Sequence, residues 1–285
     1  MAAKAKQKTK TIEINTCPDG CKLYYKDVNR EIRKAVKEGY KHIVLKNVVG
    51  QRFIGAGLKG DDITIEVFGD AGLDLGVFAD GPTIIVHGCS EYLLGNTMNS
   101  GEIVVYGDSW DITGMGARGG QMYIMGNGGS RIGIHMKEFK DQVPVICYGG
   151  RVKQYCGEYM AGGRIVVLGL DFKEAIKDPK KPIDKKNIDP KKIKNAEEPV
   201  VQQDLACGIH GGVIYVRGEV PDEYLGIYAI KDEMTDEDRE FLEPVVKRFC
   251  QHFNCPEELI WEKEFTKVKP FSSRPFGKHY NNTPV

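Results

Sequence analysis

The 285-residue chain carries 40 Lys and Arg against 40 Asp and Glu, with 41% hydrophobic and 28% charged residues. Such a composition folds into one large domain or two small ones, and its charge balance excludes the basic excess of a nucleic-acid binder. No apolar run nears the roughly 20 residues that cross a bilayer, and Met1–Lys10 has no apolar stretch of a signal peptide, so a cytoplasmic protein is expected, without membrane contact.

Residues 1–42 are expected to form an N-terminal segment with a capping helix over Asp27–Gly39. Asp27 is its candidate N-cap, Val28, Ile32, Ala35 and Val36 share one face, and Gly39 is its stop. A helix there covers an open end or a side of whatever follows.

A repeat dominates residues 43–220. Gly50, Gly69, Gly88, Gly107 and Gly126 are each 19 apart, and so are Gly57, Gly76, Gly95, Gly114 and Gly133. After a slip of five residues, Gly150, Gly157 and Gly169 resume the pattern, and a last copy ends at Gly218. Four and two positions before the first ladder stand Ile65 and Val67, Ile84 and Val86, Ile103 and Val105, Met122 and Ile124. Ile146 and Tyr148, Ile165 and Val167, and Ile214 and Val216 follow in later copies. This alternation has the period of a half-buried strand. A unit of 19 residues is too short for a propeller blade or a helix pair, and the Leu and Asn ladder of a leucine-rich repeat is missing. The expected fold is an all-β, single-stranded right-handed β-helix of about seven coils, spaced roughly 4.8 Å apart, with the glycines at its turns. His87 falls in one column with Phe68, Tyr106, Met125, Leu168 and Arg217, which makes it a rung of a stack and not a catalytic base.

An insertion at 171–200, rich in Lys and Asp, contains Asp-Pro-Lys-Lys twice, at Asp178 and Asp189. It is read as a solvated loop, with a docking arm as the sharper alternative. Residues 221–285 are expected to hold a helix from Thr235, with a capping box to Asp238 and an apolar face of Phe241, Leu242, Val245, Val246 and Phe249. The proline-punctuated stretch Phe265–Val285 should run extended.

Eight cysteines, expected as thiols in a reducing cytosol, raise the question of a metal. Cys17 and Cys21, with Cys250 and Cys255, form a metal or cluster site only if the two ends of the chain meet, and neither spacing is C-x-x-C. Cys207 and His210 are a second candidate, as a ligand pair or a nucleophile with its base, without a third group at motif spacing. No P-loop, G-x-S-x-G or H-E-x-x-H pattern is present.

The runs Gly69-Asp-Ala-Gly-Leu-Asp-Leu-Gly76, Gly114-Met-Gly-Ala-Arg-Gly-Gly120 and Gly157-Glu-Tyr-Met-Ala-Gly-Gly-Arg-Ile-Val-Val-Leu-Gly169 resemble the G-x-G-x-G repeat family. That family includes the C-terminal β-helix domain of the glutamate synthase large subunit and the corresponding repeat-bearing component of formylmethanofuran dehydrogenase. Gly133-Ile-His-Met-Lys-Glu, followed by Val143-Pro-Val-Ile, resembles the stand-alone counterpart of the glutamate synthase domain. The resemblance implies a non-catalytic scaffold with a glutamine amidotransferase subunit and a flavin/iron–sulfur synthase subunit as partners. It places FMN and iron–sulfur clusters on the partner subunits and none on this chain. A formylmethanofuran dehydrogenase component, or one of another redox complex, is the alternative, and an independent enzyme using Cys207 and His210 is a third. The chain departs from the family's Gly-Asp-Ala-Gly turns at Gly88–Gly95 and Gly107–Gly114, where Tyr92 and Trp110 put aromatics on adjacent turns. That departure suggests a face that meets a different partner.

A further stripe lies three positions before the ladder glycines: Ile85, Val104, Tyr123, Cys147, Val166 and Tyr215. Alternation turns it outward, and so apolar a stripe should be covered, by the terminal helices or by another subunit. The partner reading expects charged substitutions at Val104 and Tyr123 to break assembly without unfolding the chain.

Overall fold

A computed structural model describes residues 9–272. The elements in chain order are β1 (Thr11–Asn15), α1 (Tyr25–Lys37), β2 (His42–Gln51), β3 (Thr64–Ala71), β4 (Asp80–Val86), β5 (Ser100–Val105), β6 (Gln121–Ile124), β7 (Val145–Tyr148) and β8 (Ala161–Val167). After β9 (Leu170–Asp171) and β10 (Lys194–Asn195) come β11 (Gly211–Arg217), β12 (Ala229–Asp232), α2 (Asp236–Phe253), α3 (Glu257–Trp261) and β13 (Phe265–Pro270). One sheet runs β1-β2-β3-β4-β5-β6-β7-β8-β11-β13-β12. It is parallel from β1 to β11, and β13 then pairs antiparallel with β11. The architecture is a parallel β-solenoid of about six turns. Strands from residues 1–42 and 221–285 therefore extend the same sheet as the repeat.

The alternating aliphatic positions stack as columns. Ile65 pairs with Ile84, Ile84 with Ile103, Ile103 with Met122, Met122 with Ile146, Ile146 with Ile165, and Ile165 with Ile214. All are within 1% of complete burial in a single lumen core. Each such side chain contributes roughly 1.5–3 kcal/mol by leaving water. Tyr148 is the bulkiest rung. Its ring fits because Gly128 beside it has no Cβ, and its hydroxyl shares a 2.5 Å hydrogen bond with Ser109.

The two glycine ladders exist for different reasons. Gly88, Gly107 and Gly150 lie against the backbone of the preceding coil; a Cβ on Gly107 would sit 2.7 Å from the Gly88 carbonyl oxygen. Gly76, Gly95, Gly114, Gly133 and Gly157 have φ between +65 and +74 and point at the next isoleucine or methionine of the lumen, as Gly133 does at Ile165. Gly50 and Gly57 keep the 19-residue spacing in sequence but leave both columns in space. Val48 is the residue that pairs with Gly69, and it is the residue before Gly55, Ile54, whose carbonyl accepts from Gly76. An irregularity in β2 between Leu45 and Val48, where Asn47 is left-handed, shifts the first coil.

α1 buries Val28, Asn29, Ile32 and Ala35, and Gly39 follows it at φ +82. Asp27 does not cap it. No side chain does, and Asp27 sits in the first turn, 2.7 Å from Arg30. α2 begins with the expected capping box between Thr235 and Asp238. β13 accounts for Phe265–Pro270 of the extended tail, and the tail from 273 to 285 lies outside the described residues.

The insertion is not a solvated loop. Phe172, Ala175, Ile188 and Ile193 are buried in a second core together with α2. Its repeated motif has a local explanation: Asp178 accepts from the backbone N–H of Lys180, and Asp189 from that of Lys191, so each Asp closes its own turn.

Candidate functional site: the face of stacked left-handed turns

Opposite the sheet, each coil closes through a turn in which alternate residues are left-handed. Phe53, Asp74, Leu93, Ile112, Arg131, Tyr155 and Asp204 form one column with φ between +59 and +67. Phe78, Thr97, His135 and Tyr159, with Gly57, Gly116 and Gly208, form another, and the second glycine ladder runs between them. A single non-glycine residue in this region costs roughly 1–2 kcal/mol. The cost is offset by hydrogen bonds along the solenoid: Asp74 N–H donates to Tyr92, Phe78 to Asn96, and Gly76 back to Ile54. The conformation thus belongs to the stack and not to the individual sequence of any turn.

This backbone presents side chains outward. Phe78, Tyr92, Trp110, Met115, Tyr159 and Ile227 are all exposed there, Phe78 and Ile227 by more than half. Tyr92 and Trp110 meet edge to face at 5.1 Å, and His135 stacks on Tyr159 at 5.6 Å. Arg131 lies over the Tyr155 ring and donates to Glu158 at 2.8 Å. A row of exposed aromatic and aliphatic groups on a rigid backbone is the composition of an interface core.

The outward stripe on the sheet is not such a surface. Val104, Tyr123, Cys147, Val166 and Tyr215 are each at most 1% exposed, and Ile85 packs at the margin of the same cluster. α2 covers them with Leu242, Val245, Val246, Phe249 and Phe253. The partner-interface expectation for Ile85, Val104, Tyr123, Val166 and Tyr215 is therefore corrected: the chain's own helix occupies the stripe. Ion pairs hold α2 down. Arg248 reaches both oxygens of Glu102 at 2.8 and 2.7 Å, and His252 lies 3.3 Å from the same carboxylate. Burial opposes ionisation of Glu102, but His252 and Arg248 outweigh it and hold the carboxyl at about 2. At the other end, Lys267 and Tyr215 each donate to Asp238 at 2.6 Å. Arg217, 1% exposed, donates to the carbonyls of Leu259 and Ile260 at 2.6 Å and to Asn195, tying α3 and β10 to the sheet.

The other candidates disperse. His87 is stacked between Phe68 at 4.3 Å and Tyr106 at 5.4 Å, with Nδ1 on the Ile183 carbonyl. Cys17 and Cys21 flank a short turn beside β1 and β2, whereas Cys250 and Cys255 pack with Cys147 of β7, five strands along the sheet. Five strand steps are roughly 24 Å. Among the described residues no group of three His, Cys, Asp or Glu is placed to hold a metal. His210 Nδ1 faces the Gly208 carbonyl, and burial pushes the Cys207 thiol up, away from the ionised form a nucleophile needs. Among the described residues no helix is long and apolar enough to cross a membrane.

A glycine-laddered solenoid with this turn is what a family model for the GXGXG motif matches, over residues 29–271. The chain belongs to the GXGXG motif family, the glutamate synthase-type domain. An uncharacterized protein of Methanocaldococcus jannaschii is 45% identical over 267 residues, spanning 92% of this chain and 95% of its own length. The family match of this GXGXG chain, ending at residue 271, extends through the insertion, α2 and β13. The left-handed columns were not visible in sequence. Leu93, Ile112 and Arg131 share the 19-residue spacing but no chemistry, and only stacking reveals their common backbone.

Proposed function

We propose that this chain is the scaffolding subunit of a glutamate synthase-type complex, and that the turn face is where its partners dock. Family membership supports the type of complex. The observation that carries the docking site is the exposed row from Phe78 through Tyr92, Trp110 and Met115 to Tyr159 and Ile227, on a molecule whose other apolar face is covered internally. The partners in this reading are a glutamine amidotransferase subunit, which releases ammonia, and a flavin-dependent synthase subunit, which adds it to 2-oxoglutarate. FMN and iron–sulfur clusters belong to the synthase subunit, and this chain supplies spacing and orientation.

Reconstitution with the amidotransferase-type and synthase-type chains of the same organism tests it. Omitting this chain should abolish glutamine-dependent glutamate formation while ammonia-dependent formation persists. Equal glutamine-dependent rates with and without it would refute the scaffold role. Co-purification with formylmethanofuran dehydrogenase chains instead would reassign the complex.

A further inference from the structure

The neutral total charge hides a segregation. Residues 9–51 hold 9 Lys and Arg against 5 Asp and Glu, whereas residues 218–272 hold 14 Asp and Glu against 7 Lys and Arg. The segregation is sharpest on two helices. Lys26, Arg30, Arg33 and Lys37 of α1 are exposed at positions i, i+4, i+7 and i+11, which form one straight stripe along a helix, with Lys34 beside it. The stripe borders an open groove of about 860 Å³ whose other wall is Phe53 and Ala56 of the first turn; Glu38 is its one acidic lining residue. Arg30 has a partner in Asp27, and Arg33 donates to the Ala56 carbonyl; among the described residues Lys34 and Lys37 form no ion pair.

α2 carries the complement. Asp236, Glu240 and Glu243 are exposed at i, i+4 and i+7 on the side away from the sheet, with Glu237 next to them. Among the described residues only Glu243 of these has an ionic neighbour, Arg239 of the same helix at 3.7 Å. Asp236, Glu240 and Glu243 match the first three basic positions of α1 in spacing and oppose them in sign, and the fourth position of the α2 row, at i+11, is Lys247.

We infer that a second copy of this chain docks through these helices, α1 of one copy against α2 of the other. Charge complementarity favours a second copy over an unrelated acidic chain, because both halves of the junction are present on every molecule. Such a contact is reciprocal when both α1–α2 junctions form at once, giving a closed dimer, and propagates head to tail when only one forms. Being exposed and ionic, it weakens as salt rises. It uses no partner proposed above and none of the exposed row from Phe78 to Ile227, although Phe53 at the edge of its groove belongs to the first left-handed column; it is tested on this chain alone, apart from the complex.

Light scattering on a size-exclusion column tests it with the full chain at about 100 µM in 20 mM and 500 mM NaCl. Association is expected at low salt and loss of it at high salt. The double variants Arg30→Glu/Lys37→Glu and Glu240→Lys/Glu243→Lys should each be monomeric at low salt with unchanged thermal melts. Mixed one to one, they should associate again, because each junction regains opposite charges. A wild-type chain that stays monomeric at both salts overturns the inference, and so does failure of the two folded variants to associate on mixing.

Discussion

At Gly107 the backbone has ordinary φ, and the demand for glycine comes from the carbonyl of Gly88 only 2.7 Å from where a Cβ would be. At Gly57 the demand is conformational alone: φ is +62 and nothing lies within 4 Å of the added carbon. The same substitution should therefore have unequal effects. Gly107→Ala forces two coils apart and is expected to cost about 3 kcal/mol, the upper end of what overpacking against a rigid neighbour does. Gly57→Ala should cost only the roughly 1–2 kcal/mol of a left-handed alanine. Urea denaturation of both variants measures the gap, and equal losses would contradict the shifted register of the first coil. Ala206, at φ +59 in the column of Gly157, shows that the conformation alone tolerates alanine. These distinctions were hidden in the sequence, where Gly50 and Gly57 continue both ladders without a break. The lumen columns were legible because period two and period 19 agree there, and a slip would turn every isoleucine outward.

Among the elements, α2 is the one whose place was least predictable. The stripe of Val104, Tyr123 and Tyr215 demands a cover, but an outer column has the same composition whether its cover is intramolecular or not. The deciding contact, Glu102 with Arg248, spans 146 residues. Burial of the stripe under α2 reverses the expectation for charged variants. Val104→Asp should lower global stability by at least about 3 kcal/mol, the cost of an unpaired buried charge, and not merely weaken a complex. A folded, fully stable Val104→Asp chain would show that α2 is not seated as described. The latch is also pH-dependent. Glu102 is held at about 2 in the folded chain, below the roughly 4.3 of a free glutamate, so its contribution is complete above the latter and disappears as pH falls through about 2. Thermal melts should show a steeper loss between pH 5 and 2 in the wild type than in Glu102→Gln, which lacks the titrating group.

On the scale of the whole molecule, apolar surface is divided between a sheet face that the chain covers itself and a turn face that it leaves open. Trp110→Asp and Tyr92→Asp change only exposed groups on the open face. Their urea midpoints should correspond to changes within about 0.5 kcal/mol, as for ordinary surface substitutions, while co-purification with the reconstituted subunits is lost. Loss of stability instead would place these rings in the fold and not in an interface. Sequence pointed to the two aromatic turns as unusual but not to the backbone that rigidifies them, because left-handed Leu93 and Ile112 have no local signature.

The reversal of strand direction at β13 has one more consequence. In the large sheet every junction from β1 to β11 is parallel, whereas the last, with β13, is antiparallel, and β13 pairs antiparallel with β12 in turn. A further 19-residue unit added after β11 would find its template already taken. A longer or shorter rod built on this plan would therefore gain or lose internal rungs between β3 and β8, in steps of roughly 4.8 Å, with both terminal caps kept.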